Sequence, residues 1–311
     1  MVKQIINYKN FDISKIHRES IILIGNFDGV HTGHQKLFEL AKRYKKKMKS
    51  KIGVITFEPM PKMFFNKNIK NFRIASLKQK ENLLKKQGVD FIITKKFDKN
   101  FSKIKYFSFI ENILHKKIKA KYIFVSNNFR FGNKREGSVK KLIQNEKNFH
   151  YKIIKPKPKI SKHKIVSSTY IRKLLSSGNL KYANKLLNRN WSIEGLVKKG
   201  RKMGKKIGFP TCNLDIKNYI IPKLGVYAVK IYRKNSSKIL KGIANIGYRP
   251  TFNQKKILLE VHIFNFSGNL YEKVLTIDFI SFIRNEKKFK NINQLKKQIS
   301  SDLVMAKKSL N

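Results

Sequence analysis

The first half of the chain alternates short apolar runs with stretches of helical periodicity, and this alternation constrains its fold more than any other feature. The runs that predict strands are Ile21–Gly25, Gly53–Phe57, Val89–Thr94, Tyr122–Ser126 and Tyr151–Lys155. Helical spacing and capping signals predict helices after Gly33, from Ser76 to Gly88, over Phe107–Lys117 and over Ser138–Lys147. Such alternation is typical of a doubly wound α/β parallel sheet with helices on both faces. Sheets of this kind bind ligands at the carboxyl ends of their strands.

The pattern changes after Ser167. A Ser-Ser-Thr cap predicts a helix that Gly178 ends, and a second helix follows through Leu187. From Trp191 onward, closely spaced strands with glycine-rich turns predict a small antiparallel β-barrel, and a final helix is predicted over Ile292–Lys307. The strand runs are Ser192–Val197, Val226–Tyr232, Leu240–Ile246, Leu258–Phe264 and Val274–Phe282. The length of 311 residues suits two domains, which we predict at residues 1–187 and 188–311.

The charge balance is strongly basic, with 71 Lys and Arg residues against 18 Asp and Glu residues. Such a field attracts polyanions, but no zinc-finger spacing or RNA-recognition motif accompanies it. Lysine is spread through every segment, and isoleucine, asparagine and phenylalanine are also plentiful, as AT-rich codon usage would produce. We therefore expect nonspecific RNA adhesion at low salt and no specific nucleic-acid partner.

The lone cysteine, Cys212, excludes an internal disulfide framework and fits a reducing compartment. The first residues show no signal peptide, and no apolar run approaches the roughly 20 residues that span a bilayer. We expect a cytoplasmic protein without a membrane partner, present as a monomer or weak oligomer.

The strongest local motif is the ten-residue segment Gly25–His34, between a predicted strand and a predicted helix. His31 and His34 are three residues apart, so both can face the same side of the first helical turn. A helix N-terminus presents N–H groups and partial positive charge to phosphate, and imidazoles can stabilise negative charge there. The residues predicted to form this phosphate loop are Gly25, Asn26, Phe27, Asp28, Gly29 and Gly33. A metal pair or ordinary capping histidines are the alternatives, although neither Cys nor paired carboxylates stand nearby.

A second predicted helix start, Ser167-Ser168-Thr169, also suits anions, and Arg172 follows one turn later. Hydroxyl and amide groups can hold phosphates while the guanidinium neutralises a leaving pyrophosphate. Plain N-capping is the commoner meaning of Ser-Ser-Thr by itself. Two anion-binding helix starts together indicate a polyphosphate substrate.

The segment Gly200–Asn213 combines glycines and cations with a Thr-x-Asn pair, and it lacks P-loop spacing. Its backbone amides can cover nucleotide phosphates, and Thr211 and Asn213 offer the oxygen ligands that Mg²⁺ accepts. The residues predicted to contact ATP here are Gly200, Gly204, Lys205, Gly208 and Pro210. A solvated basic loop is the alternative interpretation of the same residues.

The motifs together resemble a known family. His-x-Gly-His with Ser-Ser-Thr-x-Ile-Arg is similar to the HIGH-type nucleotidylyltransferases, and nearly the whole chain resembles the bacterial bifunctional riboflavin kinase/FMN adenylyltransferase (FAD synthetase) family. The further matching segments are Thr56–Pro61, Phe129–Gly132, Arg73, Gly208–Asn213, Gly225–Val229, Asn245–Phe252, Leu259–His262 and Arg284–Glu286.

For the first half, the resemblance implies attack of the FMN phosphate on the α-phosphorus of ATP, giving FAD and pyrophosphate. His31, His34 and Arg172 would be catalytic, and Ser168 would help Arg172 to hold pyrophosphate. The residues implied to contact nucleotide or flavin are Asn128, Phe129, Arg130, Phe131 and Gly132. Ser126-Asn127-Asn128 departs from the family pattern, which commonly has glycine, an acidic residue and then Asp or Asn.

For the second half, the resemblance implies transfer of the ATP γ-phosphate to the ribityl 5′-hydroxyl of riboflavin. Glu260 would be the general base, Arg284 and Glu286 would contact flavin, and His262 would be structural. Lys205 stands where arginine is usual in the family. Mg²⁺ with ATP is the implied cofactor, and no permanently bound redox cofactor is required.

The implied small-molecule partners are riboflavin, FMN, FAD and ATP. Two alternatives are an adenylyltransferase for another phosphorylated cofactor precursor, such as phosphopantetheine, and a basic RNA-binding protein on a decayed enzyme scaffold. The first alternative leaves the second half of the chain unexplained.

Overall fold

The structure of the protein, a computed structural model, describes residues 5–199, 204, 207–234, 236–250 and 255–311. The chain forms two compact units. The first comprises Met1–Lys70 and Leu77–Val166, and the second comprises Asn71–Ser76 and Ser167–Asn311. The predicted boundary between the functional domains, at residues 187/188, stays a prediction.

A six-stranded parallel sheet forms the centre of the described part of the first unit. The strands of this unit are β1 (Ile6–Tyr8), β2 (Ile21–Ile24), β3 (Ile52–Glu58), β4 (Phe91–Lys96), β5 (Tyr122–Phe124), β6 (Arg130–Phe131), β7 (Gly137–Ser138), β8 (Lys152–Ile154), β9 (Ile160–Ser161) and β10 (Lys164–Ile165). The order in the sheet is β1-β4-β3-β2-β5-β8, and each neighbouring pair is parallel. The remaining strands form two short hairpins, β6–β7 and β9–β10.

All four predicted helices of the first unit are present, together with short helices that were not predicted. They are α1 (Thr32–Met48), α2 (Pro61–Phe65), α3 (Leu77–Lys86), α4 (Lys99–Ser102), α5 (Tyr106–Ser108), a π-helix that continues α5 over Phe109–Lys117, and α6 (Val139–Gln144), with 3₁₀ turns at Lys15–His17 and Asn133–Arg135. The α6 helix ends three residues before the predicted Lys147. Its end is capped by Asn145, whose Nδ2 donates to the carbonyl of Lys141 at 2.8 Å.

Both faces of the sheet are covered, which confirms the doubly wound prediction. Alternate residues of β2 belong to different apolar layers: Ile22 and Ile24 pack on one face, and Ile21 and Leu23 on the other. The first layer contains the π-helix and α6, whereas the second contains α1 and α3. Because β2 is buried on both sides, the turn that follows it has a fixed starting point.

The second unit begins with α7 (Ser168–Ser176) and α8 (Leu180–Leu187), as predicted. Its strands are β11 (Trp191–Lys198), β12 (Cys212–Leu214), β13 (Gly225–Arg233), β14 (Leu240–Pro250), β15 (Lys255–Ile263) and β16 (Val274–Asn285), and the last helix is α9 (Ile292–Leu310). In the described part of the chain, the strands close into an antiparallel barrel in the order β11-β12-β15-β14-β13-β16. The barrel prediction is confirmed. The strands that the sequence interpretation missed are short: β1, β6, β7, β9 and β10 in the first unit and β12 here. It also missed the short helices α2 and α4.

Aromatic rings fill the barrel. Trp191 and Tyr227 both pack on Phe279, with ring centroids 4.8 and 5.2 Å apart, and all three side chains are fully buried. On the outside, α9 packs against β13 and β14. Arg284 of β16 and Asp302 of α9 fix that contact through an ion pair at 2.7 Å, in which Asp302 is 1% exposed.

We predict that Gly53→Ala destabilises the first unit by about 1–3 kcal/mol, because a Cβ on Gly53 overlaps the buried ring of Phe91. Denaturant unfolding followed by circular dichroism measures the change in the free energy of unfolding. The single tryptophan, Trp191, lies in the second unit, so its fluorescence reports that unit separately. Phe91→Leu makes room for the added methyl group. The double variant should therefore lose less free energy of unfolding than the two single variants lose together. Simple additivity would contradict this packing argument.

Candidate active sites

The turn between β2 and α1 carries the predicted phosphate loop in a strained backbone conformation. Phe27, Gly29 and Val30 have positive φ angles of 47°, 78° and 38°. Val30 is β-branched, so this conformation is costly and has to be held by its surroundings. The Val30 N–H donates to the carbonyl of Phe27 at 3.2 Å, and Gln35 Nε2 donates to the carbonyl of Val30 at 2.9 Å. Asp28 is 4% exposed within this turn.

His31 and His34 come together at the start of α1. Their rings are stacked, with centroids 3.7 Å apart and planes 18° apart. His31 caps the helix, because its Nδ1 accepts a hydrogen bond from the backbone N–H of His34 at 3.3 Å. Since Nδ1 is the acceptor, a neutral His31 carries its proton on Nε2. His31 is therefore a capping residue, and it also lies beside His34 as predicted from their spacing. Its role in binding phosphate stays a prediction.

His34 is held in the neutral state. Burial first, and then the charge of neighbouring His31, lowers the pKa of His34 well below its ordinary value of 6.5. Its Nδ1 atom is shielded from solvent and has no hydrogen-bond partner among the described residues. A neutral His34 imidazole can donate one hydrogen bond to a phosphate without adding a fixed positive charge.

Glycine at position 33 makes room for the His31 ring. A Cβ there would lie 3.1 Å from His31 Nδ1 and 3.1 Å from the carbonyl oxygen of Val166. A Cβ at Gly25 would lie 3.2 Å from the Phe27 ring. Both glycines therefore allow close packing around the turn, and their contact with a nucleotide stays a prediction.

A buried lysine supports the same turn, and the sequence interpretation missed it. Lys80 of α3 is 4% exposed, and its Nζ donates to Thr56 Oγ1 at 2.9 Å. Thr56 is fully buried and donates in turn to the carbonyl of Asn26 at 3.4 Å. The motif Thr56–Pro61 was a signal for this position, but nothing in the sequence indicated that Lys80 is buried.

The predicted flavin-contacting segment lies beside β5. Asn128 is exposed and accepts a hydrogen bond from Ser126 Oγ at 3.0 Å. Phe129 and Phe131 stack at 5.4 Å with planes 15° apart, while Arg130 is exposed. Gly132 has φ +75°, and a Cβ on it would lie 2.9 Å from the backbone of Tyr106, so glycine is required there.

An aromatic cluster near this segment was also missed. Phe64 and Phe65 of α2 both contact the ring of Phe97, at 5.2 and 5.7 Å, and Phe97 contacts Phe101 at 5.8 Å. Phe65 is 70% exposed. The cluster follows Thr56–Pro61 directly, but the choice among 23 phenylalanines needed the structure.

The second predicted anion site begins α7 in the second unit. Ser167 Oγ accepts from the N–H of Tyr170 at 3.2 Å, so the N-capping alternative is observed. Arg172 Nε donates to the carbonyl of Phe72 at 2.8 Å, and its guanidinium lies 3.6 Å from the Phe72 ring centroid. Ser168 and Thr169 form the first turn of the helix. The contacts to Phe72 fix the guanidinium, and its role with pyrophosphate stays a prediction.

A cavity of about 400 Å³ lies between the barrel and α9, and we call it the barrel cavity. Its lining includes many of the predicted residues of this half: Gly204, Phe209, Thr211, Asn245, Glu260, His262, Arg284 and Glu286. Gly200 and Lys205 lie outside the described residues. Gly208, with φ +92°, belongs to the loop that edges the cavity.

Three polar residues form a row across neighbouring strands, and two of them, Asn245 and Glu260, line this cavity. Glu260 of β15 is directly opposite Asn213 of β12 and Asn245 of β14 in the strand register. Directly opposed residues of antiparallel strands share one face of the sheet. Asn213 is 8% exposed, and its Oδ1 is shielded from solvent without a hydrogen-bond partner among the described residues. A buried oxygen without a partner indicates an absent donor or cation.

His262 ties the glycine-rich loop to the barrel. Its Nδ1 donates to the carbonyl of Pro210 at 2.8 Å, and its ring meets that of Phe209 edge-on at 5.8 Å. At the other end of the loop, the carbonyl of Gly204 accepts from the N–H groups of Ile207 and Phe209. The loop beside Thr211 is thus held at two points.

Arg284 and Glu286 occupy different environments. Arg284 donates from Nε and Nη2 to Asp302 and from Nη1 to the carbonyl of Asn285, so α9 engages it. Glu286 packs against the backbone of Gly247, where a Cβ would overlap its carboxylate. Burial raises the pKa of Glu286. Flavin contact stays a prediction for both residues.

Metal and membrane features can be stated only for the described residues. Within these ranges, no group of three or more His, Cys, Asp or Glu side chains is placed to hold a metal ion. No described helix is both long enough and apolar enough to cross a membrane.

The comparisons with known proteins decide the family. A FAD synthetase model matches residues 13–170, and a riboflavin kinase model matches residues 187–310. The bifunctional riboflavin kinase/FMN adenylyltransferase of Buchnera aphidicola subsp. Schizaphis graminum (strain Sg) is 40% identical over 303 residues, covering 96% of this chain and 97% of its own. The chain belongs to this bifunctional family. The predicted order of the two activities, adenylyltransferase and then kinase, is confirmed.

Further relatives agree over nearly the whole chain. The enzyme of the same name from Escherichia coli (strain K12) is 34% identical over 297 residues, covering 95% of each chain. A solved structure from Streptococcus pneumoniae, described as a macrolide-efflux protein, matches with a TM-score of 0.85 and 28% identity, covering 97% of this chain and 98% of its own. The riboflavin kinase match accounts for the half that the phosphopantetheine alternative leaves unexplained.

We predict that acid destabilises the first unit through His34. The unfolded chain, with a histidine pKa near 6.5, binds a proton more readily than the folded state, in which this pKa is lowered. The contribution of His34 to stability is therefore full above pH 6.5 and decreases as the pH falls below that value. Denaturant unfolding at a series of pH values should show a smaller loss on acidification for His34→Gln than for the wild type. Parallel pH profiles would contradict the prediction.

We predict that His262→Ala slows riboflavin phosphorylation about fivefold to tenfold, the equivalent of losing a hydrogen bond worth about 1 kcal/mol. His262→Asn should recover most of the rate, because the amide nitrogen of asparagine occupies the position of the histidine Nδ1. His262→Gln places its amide at the position of Nε2 and should not recover it. Adenylylation of supplied FMN is the internal control and should not change. Equal rates for the Asn and Gln variants would exclude the tether to Pro210.

Proposed function

We propose that the protein phosphorylates riboflavin at the barrel cavity and adenylylates the resulting FMN at the turn that carries His31 and His34. The observation that carries the assignment of the second reaction is the stacked histidine pair at the N-terminus of α1, in which His34 is held neutral. A nucleotidyl transfer needs positioning and stabilisation of charge more than a strong base. These two imidazoles and the first backbone N–H groups of α1 meet both needs.

In the adenylylation step, a phosphate oxygen of FMN attacks the α-phosphorus of ATP, and the bond to the bridging oxygen breaks to release pyrophosphate. The His31 Nε2–H donates to an α-phosphate oxygen as negative charge develops, and His34 assists from the same first turn of α1. Asn26, Asp28 and the glycines shape the loop around the triphosphate. Arg172 neutralises pyrophosphate, and its contacts to Phe72 fix the orientation of the guanidinium.

The isoalloxazine ring of FMN stacks on aromatic side chains beside β5. The Phe129–Phe131 pair and the exposed ring of Phe65 support this placement, because a planar flavin gains stacking energy on such rings. Asn128 supplies polar contacts through its amide. An uncharged amide at this position, with Asn127 beside it, favours hydrogen bonding over metal binding.

In the kinase step, Glu260 takes the proton of the ribityl 5′-hydroxyl while the oxygen attacks the γ-phosphorus of ATP and ADP leaves. The loop from Gly204 to Thr211 covers the phosphates, and the tether from His262 holds it in place. Arg284 contacts the flavin from the cavity wall, where Asp302 fixes the orientation of its guanidinium. Glu286 hydrogen-bonds the flavin at the open side.

Mg²⁺ fits the residues at this site. Asn213 Oδ1 is buried without a partner among the described residues and Thr211 offers a hydroxyl oxygen, both of which are ligands that Mg²⁺ accepts. These two residues would hold the ion, which supplies charge neutralisation to the phosphates. We also propose a cytoplasmic location, supported by the single cysteine, and a monomer or weak oligomer.

Inactivating one site at a time tests the assignment of the two reactions to the two sites. Purified protein with riboflavin, ATP and Mg²⁺ should form FMN before FAD when the flavins are separated over time. His31→Asn with His34→Asn should lower adenylylation by about a hundredfold or more and leave riboflavin phosphorylation intact. Glu260→Gln should give the reverse pattern when FMN is supplied. A loss of both activities in either variant, with the fold preserved by circular dichroism, would contradict the assignment.

A further inference from the structure

A second cavity of about 530 Å³ lies at the other end of the strands that form the barrel cavity. On β14, Lys241 borders it, four residues and about 13 Å from Asn245 of the barrel cavity. The two cavities share no lining residue, and α9 contributes to both. We call the second one the distal pocket, and the residues that matter to its chemistry are Arg233, Lys238, Lys241, Lys307, Phe264 and Phe266.

All charged side chains that line the distal pocket are cationic. No Asp or Glu lines it, and none of its four cations forms an ion pair within the described residues. A groove at the end of α1 offers a contrast: it is lined by lysines, but Lys45 there is paired with Asp90 at 2.7 Å. Lys241 Nζ donates to Asn311 Oδ1 at 3.4 Å, which leaves its charge without a paired carboxylate among the described residues. Four such cations around one concave surface favour an anionic ligand, because converging charge concentrates the local potential.

One donor group of Arg233 lacks an acceptor. Its Nε is shielded from solvent and has no hydrogen-bond partner in the described chain, and Nη2 donates to Ser236 Oγ at 3.2 Å. A shielded donor on a cation has lost its hydration without gaining a partner, which is unfavourable until an acceptor arrives. An anion bound beside Arg233 would supply the acceptor that this donor lacks.

Two phenylalanine rings flank the cations. The guanidinium of Arg233 lies 5.7 Å from the centroid of Phe266, and Lys307 Nζ lies 6.0 Å from that of Phe264. Such contacts hold long cationic side chains in place and leave ring edges for a planar group. The pocket therefore combines phosphate-type recognition with room for an aromatic ring.

We propose that the distal pocket binds a diphosphate group, as free pyrophosphate or as the diphosphate of a nucleotide such as ADP. The cations of the pocket hold the phosphate oxygens, with Arg233 as the fork-shaped donor. The proposal does not depend on the roles assigned to the two active sites. It requires only that a diphosphate reach this face of the barrel.

Lysine footprinting on the full-length protein tests the proposal. Acetylation rates of individual lysines are read by mass spectrometry with pyrophosphate, with ADP and with sodium chloride at matched ionic strength. At a ligand concentration ten times the dissociation constant, Lys238, Lys241 and Lys307 should react about tenfold more slowly. Lys42 and Lys46, at the end of α1, are matched controls in a lysine-rich groove and should not change.

The variants make the test specific. Arg233→Met should remove the protection of the pocket lysines while riboflavin phosphorylation, which shows that the barrel is folded, continues. Protection by both probes assigns the pocket to the diphosphate group itself, and protection by ADP alone assigns part of the binding to Phe264 and Phe266. Equal protection of pocket and control lysines, no protection at all, or protection that survives in Arg233→Met would overturn the proposal.

Discussion

The burial of β2 on both of its faces is the constraint on which the first unit depends. Its side chains are divided between two apolar layers, so the strand cannot shift its register without exposing one of them. The turn after β2 therefore leaves the sheet at a fixed point and direction. That fixed exit allows two turn residues of unfavourable conformation, Phe27 and Val30, to persist and brings two imidazoles into contact at the start of α1.

The two sites use different ways of placing polar groups. At the α1 turn, a helix end supplies N–H groups and the side chains are added to it. At the barrel cavity, the strand register places one polar residue on each of three neighbouring strands, so that the row forms only when the barrel closes. The first arrangement comes from ten consecutive residues, whereas the second needs segments that are 47 residues apart in the case of Asn213 and Glu260.

This difference explains how much could be predicted from the sequence. The alternating pattern predicted the sheet, the barrel and most helix ends, because periodicity and caps are local signals. The strand β12 was missed because Cys212–Leu214 is too short to show a period. Lys80 was missed because only tertiary packing buries a lysine against Thr56. The engagement of Arg284 by Asp302 was also invisible, since a helix that begins after β16 supplies the carboxylate.

The ion pair between Arg284 and Asp302 has a consequence for how the chain tolerates substitution. A chain with 71 basic and 18 acidic residues has lysines in excess, so the loss of one surface cation changes the total charge very little. A buried carboxylate has no such reserve, because removing it leaves an isolated guanidinium beside the cavity at a cost of about 3–5 kcal/mol. The excess of basic residues can therefore grow only while the buried acidic residues are kept. Each acidic residue that is buried against a cation is a position where a substitution would destabilise the fold.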